Sequence, residues 1–388
     1  FWRDLFAEHG LSKDSSFSLE KLKLLPIFER KTLEQLGDKI YVPGSGTGPL
    51  HYKYSSGTTG LPLKTMFSAG ELIISDFPFR FRHPAFDNIL LQELLSRKFV
   101  VILGRPGDRA TLTSDFALHA FSELTSSDLE DVSMRKKIYA KIEEAKPALL
   151  VGYSSLILKL AEHVNEDGIR LPLFAVRLSS EPISLEGQGL VENVMGVPII
   201  NMFGGSSAGL MGFECPGNLG KFHLNSERVI LEIVSENSSE EYEGGEGEIV
   251  ITTLDKINTP VIRRRIDDLG SIISEKCNCG RNLQLFEFHG RRGDELALPS
   301  GRKIQSVLLL SRINRVLSPD RIKQFQTRQE ARNCLKILLV PKGPFTESQE
   351  MKLRLSLSEL FEREKILIEV EYVKNIPPGP GGKYRMFV

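Results

Sequence analysis

An α/β protein is predicted, with a large N-terminal domain of mixed or parallel sheets and a small C-terminal α+β domain. Three observations predict it. From about residue 70 to 290, short apolar runs alternate with amphipathic stretches, the pattern of a mostly parallel sheet covered by helices. After about 290 the texture becomes that of a compact unit of roughly a hundred residues, a usual size for a domain. The segment Pro377-Pro378-Gly379-Pro380-Gly381-Gly382 cannot be helical and reads as a loop. The expected division is 1–289 and 290–388.

Taken in order, Leu19 to Leu25 reads as a helical stretch ending at Pro26. Phe99 to Leu103, Ala148 to Val151 and Pro198 to Ile200 read as buried strands. Ser155 to Val164 places Leu156, Leu160, Ala161 and Val164 at helical spacing. Leu231 to Val234 and Glu246 to Thr253 read as neighbouring strands joined by a Glu/Ser/Gly-rich hairpin. In the C-terminal unit, Leu335 to Val340 and Ile366 to Tyr372 are strand-like, and Met351 to Arg363 is an amphipathic helix.

The 388 residues carry 50 basic and 50 acidic side chains, so no polyanion-binding surface is expected and nucleic acid is not an expected partner. Apolar runs such as Ala148 to Tyr153 are far too short to span a bilayer, so no membrane insertion is expected. No signal peptide is visible, and the start at Phe1 suggests that upstream residues are absent. Four cysteines, two of them in Cys277-Asn278-Cys279, make no disulfide framework and point to reduced thiols in the cytoplasm.

The densest chemical signal is Tyr54-Ser55-Ser56-Gly57-Thr58-Thr59-Gly60-Leu61-Pro62. Glycines allow close backbone approach, successive N–H groups form a nest for anions, and hydroxyls add donors. The segment reads as a phosphate cradle. It is not the Walker loop, because Leu61 stands where that pattern requires lysine. A Gly/Ser cluster alone would read as a flexible turn. The unbroken order Ser-Ser-Gly-Thr-Thr-Gly-x-Pro is far more specific.

That order resembles the phosphate loop of the adenylate-forming superfamily, and the leading Tyr-Ser-Ser resembles its phenylacetate-CoA ligase and CapK-like branch. Further segments resemble the family's motifs in sequence order. Ser179-Ser180-Glu181-Pro182 is similar to the turn near the adenine site, and Phe203-Gly204-Gly205-Ser206-Ser207 to the aromatic-Gly motif. Arg265-Ile266-Asp267-Asp268 is similar to the motif whose Asp grips ribose hydroxyls. Gly290-Arg291-Arg292-Gly293-Asp294 resembles the interdomain hinge, and Gly382-Lys383-Tyr384-Arg385 the segment with the adenylation lysine. Pro260-Val261-Ile262-Arg263 and Cys279-Gly280-Arg281 match the ligase branch.

The resemblance implies activation of a small carboxylic acid with ATP and Mg2+ as acyl-AMP, then transfer to coenzyme A or another thiol or amine. It implies that Lys383, Thr58 and Ser207 sit at the reacting phosphates. It implies nucleotide contacts from Ser55, Ser56, Gly57, Thr58, Thr59, Gly60, Ser180, Glu181, Pro182, Phe203, Gly204, Ser206, Asp268 and Lys383. Without the resemblance, Asp268 would read as a solvated acid in a charged run and Lys383 as an exposed tail lysine. Ser207 departs from the pattern, since relatives carry Glu there and it helps hold magnesium; a hydroxyl is a poor substitute at a hard-cation site. Phe203 replaces the usual Tyr, and Gly293 the first hinge Asp. A catalytically degenerate nucleotide-binding protein and an amide-forming or carrier-protein acyltransferase are therefore kept as alternatives. A homodimer is left open.

Cys215, His223, Cys277 and Cys279 form a second constellation. Three thiols and an imidazole suit tetrahedral structural zinc, and the ligase branch carries a similar arrangement; buried free cysteines are the competing reading. Phe77, Phe79 and Phe81 read either as an acyl-pocket lining or as core.

Overall fold

The computed structural model describes residues 1–11, 16, 18–42, 50–54, 63–68, 70–71, 82–87, 99–102, 117–121, 128–179, 183, 185–205, 207–235, 245–317, 322–362, 364–377 and 386–388. These fall into two compact units, one built from 1–89 and 201–289, the other from 90–200 and 290–388.

In the first unit, antiparallel pairing dominates. Val229–Val234 pairs with Gly247–Thr253 from Val229↔Thr253 to Val234↔Glu248, as their β-branched runs predict. Arg264–Ile273 joins the free side of Gly247–Thr253. Asn218–Leu224 lies between Gly209–Cys215 and Leu285–Arg291, so His223 faces Phe213 on one side and Leu285 on the other. One face of this sheet buries Met211, Phe222, Leu231, Ile249, Ile251 and Phe286.

The strand Arg264–Ile273 carries too much charge to be recognised from its sequence. Tertiary pairing explains how it is buried. Arg265 Nη1 lies 3.0 Å from Glu248 and 3.0 Å from Glu29. Just before the strand, Arg263 reaches Glu232 at 2.9 Å and donates to the carbonyls of Lys23 and Leu25 at 2.9 and 2.6 Å. A buried guanidinium is tolerated only when its donors are matched in this way.

In the second unit, Ala175–Ser179, Leu149–Tyr153, Phe99–Ile102 and Ala117–Phe121 are neighbours and run parallel. The helices Val132–Ala145 and Ser154–Glu166 place Ile138, Ile142, Leu156, Leu160 and Val164 in one core with Leu150 and Val176. This is the expected βα alternation. The C-terminal part is α+β. Cys334–Pro341, the helix Glu347–Leu360 and the parallel strand Leu367–Tyr372 form a β-α-β unit, with Ile322–Ala331 antiparallel to the first strand. A reciprocal Thr346/Gln349 capping box starts the helix at Glu347, upstream of the expected start at Met351, and it ends at Leu360. Leu309, Ile313, Leu335, Ile337, Leu353 and Leu357 are its core. No helix among the described residues is long and apolar enough to cross a membrane.

Candidate functional site

The strands Leu50–Tyr54 and Lys64–Ser68 pair antiparallel from Leu50↔Ser68 to Tyr54↔Lys64. The segment expected to cradle phosphate lies in the chain between these two paired strands. Ser55, Ser56, Gly57, Thr58, Thr59 and Gly60 themselves lie outside the described residues. The hairpin's base is firmly held. Met66 N–H donates to Thr259 Oγ1 at 2.9 Å, and that hydroxyl donates back to the Met66 carbonyl at 2.9 Å. The Glu71 carboxylate accepts from the backbone N–H groups of Ser68 (2.7 Å), Ile257 (2.6 Å) and Asn258 (3.0 Å) and from the Asn258 amide. Burial works to raise the Glu71 pKa, but these donors outweigh it and hold the carboxyl below its ordinary value. Glu71 and Thr259 were not singled out from sequence, where nothing distinguishes them from solvated polar residues.

Phe203 and Gly204 lie at the end of Ile199–Gly205, which pairs with Gly209–Cys215 through Phe203↔Gly212 and Gly204↔Leu210. A Cβ on Gly204 would sit 2.5 Å from the Gly209 carbonyl oxygen, so this tight hairpin admits only glycine. The Phe203 ring is half-buried and backed by Phe222, Phe286 and Phe288, with centroids at 5.8, 5.1 and 5.7 Å. Its backing is a rigid aromatic wall, suited to presenting a ring face for stacking. Asp268 is half-buried on Arg264–Ile273. Its strand also carries Ile266 and Ile272, which pack on the same cluster as Phe203; the pairing is irregular between Arg265 and Leu269, where Asp267 has φ +62°. Stacking platform and acid thus belong to strands of one sheet. Ser207 is buried, at 8% exposure, and offers a neutral hydroxyl where a hard cation calls for a carboxylate. It does not fit as a magnesium ligand.

Ser180, Glu181, Pro182, Ser206 and Lys383 lie outside the described residues, as do Phe77, Phe79 and Phe81. The chain on either side of Lys383 is anchored. Ile376 is buried, the Met386 carbonyl accepts from Thr327 N–H (2.7 Å) and Oγ1 (2.9 Å), and Val388 N–H donates to the Thr327 carbonyl (2.9 Å).

The structure brings Cys215, His223, Cys277 and Cys279 together, with all four ligand atoms within 4.8 Å of one another. Cys215 Sγ is 3.3 Å from Cys277 Sγ, and Cys279 Sγ is 3.2 Å from His223 Nε2. A tetrahedral zinc ion with its usual bond lengths spaces its donors about 3.4–3.8 Å apart. The cluster matches that scale with small shifts. Burial, then the neighbouring Cys277 sulfur, pushes the Cys215 thiol up to about 12. Burial also opposes the Cys277 thiolate, but the Cys279 backbone N–H and the Cys215 thiol bring Cys277 down to about 7. Burial lowers the His223 pKa and keeps the imidazole neutral. A ready thiolate and a neutral imidazole are what a metal ion needs. Asn218 Nδ2 donates to Cys277 Sγ at 3.1 Å, a contact that sequence reasoning missed.

Comparison with known proteins bears on both the fold and the branch. In 2-hydroxyisobutyryl-CoA ligase, solved in the postadenylation state with R3-HIB-AMP, the fold matches at a TM-score of 0.73 and 17% identity. The match covers 100% of this chain and 84% of that one. An anthranilate CoA ligase solved with anthranoyl-AMP matches at a TM-score of 0.61 and 14% identity, over 86% of this chain and 64% of that one. The chain has the adenylate-forming ligase fold. Residues 296–388 match the CapK C-terminal domain family. The chain is 26% identical over 319 residues to phenylacetate-coenzyme A ligase of Thermus thermophilus, covering 77% of this chain and 67% of that protein. Within the adenylate-forming fold it is similar to the phenylacetate-CoA ligase and CapK-like branch.

Proposed function

We propose that this protein is an acid–thiol ligase that activates a small carboxylic acid as acyl-AMP and passes the acyl group to coenzyme A. The observation that carries the reading is the first unit's arrangement: two paired strands flanking the expected phosphate segment, and a Phe203 platform on a cluster that also takes Ile266 and Ile272 from the strand of Asp268. In the first step the carboxylate oxygen bonds to the α-phosphorus of ATP and the α–β bridging bond breaks, releasing pyrophosphate. Thr58 and Thr59 donate to the departing phosphates, Phe203 stacks on adenine, and Asp268 accepts from the ribose hydroxyls. Preorganised donors of this kind act where charge accumulates. In the second step the thiol sulfur bonds to the acyl carbon, the bond to AMP breaks, and the thiol proton is released.

Residues 290–388 act as the mobile lid, turning about Gly293–Asp294, where Gly293 has φ +81°. Closure delivers Lys383 to the reacting oxygens and excludes water. Magnesium is held by ATP phosphates and water, since Ser207 supplies no charge. In the metal cluster, Cys215, His223, Cys277 and Cys279 hold structural zinc, with no open position for substrate. The free thiols suit a cytoplasmic setting.

Pyrophosphate release, measured over a panel of aryl and fatty acids with and without coenzyme A, tests the activity. Release that needs an amine or carrier protein as acceptor moves the assignment to the acyltransferase class. Ser207 favours a second reading, a degenerate nucleotide-binding protein. Tight ATP binding with no release from any acid, reversed by Ser207→Glu, establishes that reading instead.

A further inference from the structure

The Cys279-Gly280-Arg281 segment has a role that the ligase chemistry leaves unassigned. Gly280, at φ +80°, turns the chain so that Arg281 follows the last thiol of the cluster closely. Arg281 Nη2 donates to Asp87 Oδ1 at 2.5 Å. Asp87 closes the short turn Pro84–Phe86, 194 residues away in sequence. The two residues just before this turn make further contacts near the cluster. His83 packs edge-on against Phe213, at 5.9 Å between centroids, and Phe213 packs on His223 at 5.2 Å. Arg82 makes a two-pronged bond to Glu227, at 2.7 and 2.6 Å.

Position in the chain gives Arg281 its task. Asn218 donates to the Cys277 sulfur at 3.1 Å, and Arg281, two residues beyond Cys279 across the Gly280 turn, ties the chain just past that thiol to Asp87.

We propose that Arg281 is the positioning residue of this metal centre: it braces the chain just past Cys279 and, through Asp87, makes the bound metal the anchor of the 82–87 turn. The inference rests on the zinc reading above. The turn's amides are well defined, with Ala85 N–H donating to His83 Nδ1 at 3.1 Å and Phe86 N–H to the His83 carbonyl at 3.0 Å. Their exchange reports the anchor directly.

The test uses the whole chain loaded with zinc. Zinc transfer to excess chelator is timed for wild type, Arg281→Gln, Asp87→Asn and the exposed control Lys276→Gln. Hydrogen exchange at 83–87 is read in each and in chelator-stripped wild type. Arg281→Gln is expected to keep its zinc at saturation but release it roughly ten- to a hundredfold faster, the usual effect of removing a partner of a metal ligand. Protection of the 85–87 amides is expected to fall in Arg281→Gln, in Asp87→Asn and in stripped wild type, but not in Lys276→Gln. Wild-type release by Arg281→Gln, or full protection of the turn in stripped protein, overturns the proposal and leaves the zinc reading standing. A wild-type chain that binds no zinc overturns both.

Discussion

Glu71 accepts three backbone N–H groups and one side-chain amide while buried beside the hairpin that carries the phosphate motif. Glu71→Gln replaces an acceptor with a donor that faces other donors. At pH 7 it should cost about 1–3 kcal/mol, the usual penalty for unmatched buried polar groups. The sign of the pH dependence follows from the lowered folded pKa. The charge's contribution is present above the unfolded value and is lost as pH falls through the folded one. Urea unfolding at pH 7 and again below pH 4 should therefore show the wild-type advantage shrinking in acid. An advantage independent of pH would mean that the carboxylate's charge is not what holds the hairpin. The expected phosphate segment stood out in the sequence because glycine and hydroxyl spacing is local. It could not find Glu71, whose partners Ile257 and Asn258 lie 186 and 187 residues away.

At the scale of elements, the metal module joins the knuckle at Cys215–Asn218 to Cys277-Asn278-Cys279 across a separation of 62 residues. Structural zinc contributes folding free energy directly. Purified protein should contain about one zinc per chain by elemental analysis. Cys277→Ser should abolish the metal and lower the melting temperature. Cys334→Ser, outside the cluster at the start of Cys334–Pro341, should change neither. Fully folded metal-free protein indifferent to chelator would remove the zinc assignment. The four-residue cluster was readable in advance because thiols and imidazole are scarce and chemically distinctive. Strands such as Arg264–Ile273 were not, because their burial depends on acids elsewhere, Glu248 among them, and leaves no apolar period to read.

For the molecule as a whole, the proposed lid motion separates two half-reactions. Lys383→Ala should slow acyl-adenylate formation by orders of magnitude, each tenfold being about 1.4 kcal/mol of transition-state stabilisation. Consumption of a supplied acyl adenylate should be nearly unchanged, and equal loss in both steps would rule out lid rotation. Within the second unit, Lys342 Nζ pairs with Glu162 Oε1 at 2.6 Å, tying the C-terminal part to the helix Ser154–Glu166. A surface pair of this kind contributes about 0–1 kcal/mol. If the pair breaks as the lid turns, Glu162→Gln should shift the ratio of the two half-reaction rates by no more than about fivefold. A larger shift would require that contact to carry more than a surface ion pair can.

The sequence by itself determined the α/β class, the branch of the adenylate-forming superfamily that it resembles, and the four Cys and His residues that the fold gathers into one cluster. Each rests on local periodicity or on residue types with little alternative use. Tertiary structure decided what lies behind them: the aromatic wall under Phe203, the Glu71 clamp, and the path from Cys279 through Arg281 to Asp87. Those contacts join residues far apart in the chain. Only the folded backbone brings their donors, acceptors and rings within the few ångströms over which such forces act.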